Sequence, residues 1–334
     1  MIKNFEVSGT EYDMGYVVGR EFKDYLQKSI EKYEEKLKIK NVYKKVKNME
    51  EKLKIQFPKC LEEIYGRADG ANISRDATLL MFFPEIFRKI DGCTTVILKK
   101  ENGNFLFSHN EDDKNYTTDN VALVKYKYSN YWIVGYTMAE KLTGSSFAFN
   151  SYGLVFSSNY IFDTKIDLNN ISRYIMVRDV MNSKSIEETI EKLNNSKVAS
   201  AFSLNILDTK KNVAINVEKD IDEIYVTNIE DRYARANHFT SKEYILPEDR
   251  KSTKFRDEKS NELIKLVDSK NAKIEDLINV LNYETDDYNE SIFKDSNKYN
   301  DKSITVANFS FDNDLKNICI MDYLGDYVFR YNLK

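Results

Sequence analysis

The sequence predicts an α+β protein in which a helical segment, residues 1–92, precedes a domain, residues 93–334, of layered sheets with helices packed outside. Three observations predict it. Before residue 90 the apolar positions recur at three- and four-residue steps, the period of an amphipathic helix. From Cys93 onward the chain turns to β-branched and apolar runs punctuated by turn residues. Strands then come in groups separated by pairs of helices, an order that fits layered sheets better than an alternating βαβ chain.

Met14, Val17, Val18, Phe22, Tyr25, Leu26, Ile30 and Tyr33 trace one long helix from Tyr12 to about Lys38. Helical patterns follow at 43–55, 59–69 and 74–89, with Pro58 suited to the start of the second and Ser74 to the N-cap of the third. Pro84 removes a backbone donor inside the last pattern, so that helix is expected to kink or restart there. Thr94–Leu98 reads as a strand, Glu101-Asn102-Gly103-Asn104 as a turn and Phe105–Phe107 as the returning strand, so Cys93 opens a hairpin. Further strands are expected at 120–127, 131–138, 146–158, 201–207, 212–217, 222–227, 303–309, 316–322 and 326–331. Helices are expected near 171–181, 185–195, 254–268 and 273–281, and no internal repeat is visible.

With 42% hydrophobic and 13% aromatic residues over 334 positions, the chain can bury a large core. Glycine (11) and proline (3) are scarce and no Ser/Gly/Pro-rich stretch occurs, which argues against a flexible linker between two halves. The formal net charge is −4 and the lysines are spread along the chain, so no basic stripe for nucleic acid is expected. No run of roughly 18 apolar residues occurs, and acidic residues come early; a protein without membrane contact, located in the cytoplasm, is expected. Cys60, Cys93 and Cys319 share no CxxC spacing and there are only two histidines, so neither a disulfide framework nor a metal site is expected, and no cofactor.

A lone cysteine at the start of a strand is ordinarily a small buried hydrophobe. Gly92 changes the reading of Cys93. A residue without a side chain lets an adjacent nucleophile approach its carbonyl closely, which suits an N-to-S acyl shift. If that bond breaks, Cys93 gains a free α-amine with an ordinary pKa of about 7.7–8.0, close to the roughly 8.5 of a thiol, and carries its own general base. His109 and His238 sit in no recognisable Cys-His signature and read as structural or pocket-lining residues.

Asp91-Gly92-Cys93-Thr94-Thr95 resembles the self-cleavage junction of the acyl-coenzyme A:6-aminopenicillanic-acid acyltransferase family, which is related to the choloylglycine hydrolases. The resemblance extends over nearly the whole chain. Gly9-Thr10, with Gly15 and Gly19, is similar to that family's opening helix start, and Phe57-Pro58 with Glu62-Glu63-Ile64 to a helix of its propeptide. Asn110-Glu111-Asp112 resembles the family's Asn-x-Asp, and Asp112 falls nineteen positions after Cys93, an offset that also suits the choloylglycine hydrolases. Phe149-Asn150-Ser151-Tyr152-Gly153 resembles its Asn-x-x-Gly turn, with Asn159 nine positions beyond Asn150, and Asn237-His238 resembles its Asn-His after a strand.

The resemblance implies an N-terminal-nucleophile hydrolase fold, an αββα sandwich of two mainly antiparallel sheets. It implies Cys93, Asp112 and Asn237 as catalytic residues, with Asp112 accepting from the α-ammonium or thiol of Cys93 and the Asn237 amide donating to the oxyanion. Asn110, Asn159 and His238 are implied as substrate-binding or oxyanion support. Two departures stand out: His109 occupies the position where choloylglycine hydrolases carry arginine, and the arginine expected late in the chain lacks a clear counterpart. Arg256 fits a helix position better than a catalytic one, and Lys302 is a weak candidate.

The mechanism this implies begins with Cys93 attacking the Gly92 carbonyl, followed by hydrolysis of the thioester. The mature enzyme then acts on a linear amide or acyl thioester through an acyl-Cys93 intermediate, and fragment 1–92 is retained as a subunit. Two alternatives stay open: an uncleaved binding or regulatory protein that keeps the fold, and a Cys-His hydrolase that needs no processing.

Overall fold

The computed structural model describes residues 2–87, 92–113, 120–162, 165–243, 246, 250–295, 297–299, 303–322 and 327–332. The chain opens with a strand, β1 (Lys3–Ser8), which the sequence did not announce. The expected long helix is three short ones: α1 (Glu11–Glu21), α2 (Lys23–Ser29) and α3 (Glu31–Leu37). The backbone at Ile30 stays right-handed helical, so that interruption is a bend, and Phe22, Leu26, Ile30 and Tyr33 all reach the core around it. Thr10 caps α1 in a reciprocal capping box with Asp13. Helix α4 (Lys40–Gln56) follows, then α5 (Pro58–Ala71), which starts at its proline, and α6 (Arg75–Met81), which Ser74 caps. Helix α6 ends before Pro84, which begins a separate short turn of 3₁₀ helix, Pro84–Phe87, as the missing donor requires.

The hairpin follows as β2 (Gly92–Lys99) and β3 (Phe105–Asp113), then β4 (Val121–Lys127) and β5 (Trp132–Met138). The run expected at 146–158 is two strands, β6 (Phe147–Asn150) and β7 (Leu154–Tyr160), because Gly153 at φ +97° turns the chain between them. Helices α7 (Arg173–Val180) and α8 (Ile186–Asn194) separate these from β8 (Phe202–Asp208), β9 (Val213–Lys219), β10 (Ile224–Asn228) and a four-residue β11 (Arg232–Arg235). Helices α9 (Lys251–Ile264) and α10 (Ile274–Leu281) precede the closing strands β12 (Ile304–Asp312), β13 (Asn317–Asp322) and β14 (Tyr327–Asn332).

These strands form two sheets, β1-β4-β5-β6-β7-β8-β9-β10 and β11-β2-β3-β12-β13-β14, antiparallel throughout except where β1 joins β4. Three apolar cores separate four layers. The first lies between the N-terminal helices with α7 and the outer face of the eight-stranded sheet, and the second lies between the two sheets. The third lies between the six-stranded sheet and helices α9 and α10. The layering is therefore αββα, as expected.

Residues 2–87 are built into this body. Strand β1 is an edge of the eight-stranded sheet, and buried Glu140 accepts from Tyr33 Oη and Lys32 Nζ, each at 2.7 Å. Buried Glu63 on α5 accepts from Tyr126 Oη and Arg178 Nε, each at 2.9 Å. Arg67 donates to the Lys141 carbonyl at 2.7 Å. Among the described residues no helix is long and apolar enough to cross a membrane.

Helices α1 and α5 meet backbone to backbone. A Cβ on Gly15 would lie 2.1 Å from the Glu63 carbonyl oxygen, and one on Gly66 would lie 2.0 Å from that of Tyr12. Gly15→Ala therefore forces the helices apart, and its cost should reach about 3 kcal/mol, the upper part of the usual overpacking range. Urea denaturation checks this; an unchanged midpoint would show that the close crossing is dispensable.

Candidate active site

In an antiparallel pair, directly opposed residues project to the same side. The β2–β3 register sets Cys93 opposite Glu111 and Thr95 opposite His109, and these four side chains face the other sheet. Gly92 lies opposite Asp112 and Thr94 opposite Asn110, on the face covered by α9 and α10. The hairpin thus sorts the site into a thiol face and a helix face.

On the thiol face Cys93 is 2% exposed and its Sγ lies 3.1 Å from Glu111 Oε2. Burial, then the adjacent Glu111 charge, pushes the thiol pKa well above its ordinary value, so S–H donates to the carboxylate. Lys141 Nζ donates to Glu111 Oε1 at 2.9 Å and pairs with Asp113 at 2.6 Å, all three residues being buried. Nε2 of His109 is 3.6 Å from Glu111 Oε2, and its Nδ1 is 2.8 Å from Thr95 Oγ1. Thr95 Oγ1 donates to Asn159 Oδ1 at 2.9 Å; the buried Asn159 Nδ2 has no acceptor among the described residues.

On the helix face the main chain of Cys93 is clamped. Its N–H, which belongs to the Gly92–Cys93 peptide, donates to Asn237 Oδ1 at 3.0 Å. Its carbonyl accepts from Arg256 at 2.6 Å, and the same guanidinium donates to Thr94 Oγ1 at 2.8 Å and to Asn237 Oδ1 at 2.7 Å. Two donors on one oxygen fix how the Asn237 amide is turned, and its Nδ2 goes to the Tyr160 carbonyl at 2.8 Å.

Several expectations change here. Asp112 is buried across the strand from Gly92, where a Cβ would come within 3.0 Å of its Oδ2. It accepts from Thr305 at 2.8 Å, and the thiol's partner is Glu111, because strand alternation turns Asp112 to the opposite face. Burial raises the Asp112 pKa against the pull of Arg256 and Lys294. The Asn237 amide nitrogen is engaged by Tyr160. Asn110 braces the fold, donating to the Leu281 carbonyl at 3.0 Å and accepting from Asn308 at 2.7 Å. His238 Nδ1 is 3.3 Å from Thr253 Oγ1, the hydroxyl that also accepts from Asn237 N–H. Arg256 does occupy helix α9, and it is also the cation at Cys93. Lys302 and Asp91 lie outside the described residues.

Sequence reasoning passed over Glu111 and Lys141. Glu111 was within reach, since a hairpin centred on Asn102 places residue 111 opposite residue 93. Lys141 arrives from the turn after β5 and carries no local signal.

The chain matches the acyl-coenzyme A:6-aminopenicillanic acid acyl-transferase family over residues 98–321, a span that begins after Cys93 and includes Glu111, Asp112, Asn237 and Arg256. No curated protein matches the chain. Among solved structures, a variant of the conjugated bile acid hydrolase of Clostridium perfringens superposes with a TM-score of 0.48 at 14% identity, over 72% of this chain and 92% of that one. The penicillin V acylase of Agrobacterium tumefaciens superposes with a TM-score of 0.47 at 13% identity, over 69% of this chain and 83% of that one.

His238 and Asp257 flank Asn237 and titrate in opposite senses. Burial, then Arg235 and Arg256, lowers His238 to about 4, whereas burial raises Asp257 to about 6 even though it accepts from Ala236 N–H. Between about pH 4 and 6 the unfolded state holds more protons at His238, so that residue makes stability rise with pH. The native state holds more protons at Asp257, so that residue makes stability fall over the same interval. The stability of Asp257→Asn relative to wild type should therefore climb from pH 4 to 6, and that of His238→Asn should decline. Melting temperatures across this range check both slopes; flat differences would contradict the burial of these groups.

Proposed function

The chain belongs to the acyl-coenzyme A:6-aminopenicillanic acid acyl-transferase family, and on that footing we propose that it cuts itself between Gly92 and Cys93 and works as a cysteine N-terminal-nucleophile enzyme. The mature form hydrolyses a linear amide or thioester, or passes the acyl group to an amine, through an acyl-Cys93 intermediate. The observation that carries this reading is the clamped Gly92–Cys93 peptide: nitrogen on Asn237 Oδ1, the next carbonyl on Arg256, thiol on the Glu111 carboxylate.

In the first step Glu111 takes the thiol proton and the sulfur attacks the Gly92 carbonyl carbon. The C–N bond then breaks, the Cys93 nitrogen leaves with a proton, and Gly92 is joined to Cys93 Sγ as a thioester. Water hydrolyses that ester, leaving the Gly92 carboxylate, a free thiol and the α-amine of Cys93. Asn237 Oδ1 remains the acceptor for that amine, with Asp112 as the neighbouring carboxylate. Asn159, with its amide nitrogen unpartnered among the described residues, is the oxyanion donor. Strand β1 and the buried ties of Glu63, Arg67 and Glu140 keep fragment 1–92 bound after the cut.

The near-complete burial of the Cys93 thiol favours a second reading, an uncut binding protein that keeps the fold. Simple acyl thioesters and linear amides separate the two. Wild type should carry an acyl mass on the Cys93 peptide and Cys93→Ala none, while Glu111→Gln should slow appearance of the cut chain by roughly 10²-fold or more. Turnover by Cys93→Ala, or an adduct only on other residues, would sink the proposal.

A further inference from the structure

We infer that Cys93, His109 and Glu111 bind a zinc-like divalent ion, and that the bound ion blocks the sulfur; the blocking, though not the binding, rests on the proposed role of Cys93. Ligand spacing in the sequence gave no metal set, because the three residues converge only through strand pairing. One donor atom from each, a thiol sulfur, an imidazole nitrogen and a carboxylate oxygen, lies within 4.8 Å of the others, and all three residues are buried. Glu111 Oε2 is the common point, 3.1 Å from Sγ and 3.6 Å from His109 Nε2. Zinc bonds of about 2.0–2.3 Å at the tetrahedral angle separate ligands by roughly 3.3–3.7 Å, so small side-chain movements complete the set.

A chain of amides indicates which histidine nitrogen carries the proton. Arg235, which can only donate, gives a hydrogen bond to Asn216 Oδ1 at 3.4 Å. Asn216 Nδ2 then donates to Asn205 Oδ1 at 2.8 Å, and Asn205 Nδ2 to Asn159 Oδ1 at 2.9 Å. The Thr95 hydroxyl gives its single proton to that same Asn159 oxygen, so it accepts from His109 Nδ1–H. This leaves the Nε2 lone pair facing Ser146 Oγ at 3.2 Å and the Glu111 carboxylate at 3.6 Å. Two acceptors turned toward each other beside a thiol are a setting for a cation, and a hydrogen bond on the remote imidazole nitrogen is the usual support of a histidine ligand.

The donor set selects the ion. Mixed sulfur, nitrogen and oxygen ligands suit zinc or cobalt(II), whereas magnesium and calcium take oxygen alone. Lys141 holds Glu111 Oε1, and Oε2 is the oxygen facing the thiol and the imidazole. On binding, the Cys93 S–H bond breaks, the proton leaves to solvent, and a sulfur–metal bond forms in its place.

The test uses cobalt(II) chloride, read by absorption, on the full purified chain after chelator treatment. Wild type should bind one equivalent with a thiolate-to-cobalt charge-transfer band that zinc abolishes and magnesium does not. Cys93→Ala should lack the band, and His109→Gln and Glu111→Gln should weaken binding at least tenfold. In wild type, zinc should also slow alkylation of Cys93 relative to Cys60, read by peptide mass. Absence of the band, a band indifferent to His109→Gln, or no protection of Cys93 in wild type would overturn the site. Self-cleavage and acylation followed in chelator report on the proposed enzyme separately.

Discussion

Because opposed residues of an antiparallel pair share a side, the β2–β3 register assigns each side chain of the hairpin near Cys93 to one of two faces. A slip of one residue would bring Asp112 to the thiol and bury Glu111 under the helices. As paired, the thiol meets Glu111, and through it Lys141 and Asp113, while Asn237 holds the Cys93 N–H and Arg256 the Cys93 carbonyl from behind. Sulfur and peptide are therefore controlled by separate sets of residues. A change on one face, such as loss of Arg256, acts on the main chain and leaves the acid–base partner of the sulfur in place.

The N-terminal segment matters to this arrangement beyond its length of helix. It lends β1 to the eight-stranded sheet and seals that sheet's outer face with one continuous core. Arg67 on α5 also holds the Lys141 carbonyl, and the Lys141 side chain in turn pairs with Glu111, the carboxylate at the thiol, and with Asp113. Buried charges without such compensation are costly, so the helices stabilise the site's electrostatics as well as its fold. This segment shares a sheet and a core with the residues that follow it.

Much of the fold was legible because its signals are local. Pro58 and Ser74 mark helix starts, Pro84 an end, and the β-branched run after Cys93 with its Asn-Gly turn a hairpin. Strand β1 was missed since an edge strand exposed along most of its length shows almost no alternation, and the residue pattern alone missed β11, which only the resemblance implied ahead of Asn237, since four residues carry no period. At the site, Cys93 and Asn237 come together, with the asparagine oxygen accepting from the Cys93 N–H. Motif spacing led to Asp112, whereas the two-residue period of a strand leads to Glu111. Arg256 was set aside as a helix residue, although a helix packed on a sheet can send a long side chain to the strand beneath it. Lys141 depends on tertiary placement alone, which no local pattern records.

The proposed enzyme requires that the Gly92–Cys93 peptide be broken by its own cysteine. Intact mass under denaturing conditions, taken on freshly purified wild type beside Cys93→Ala, tests this most directly. Wild type should separate into chains 1–92 and 93–334, and the variant should stay whole. A wild type that remains a single uncut chain, or a variant that is cut at the same bond, would contradict it.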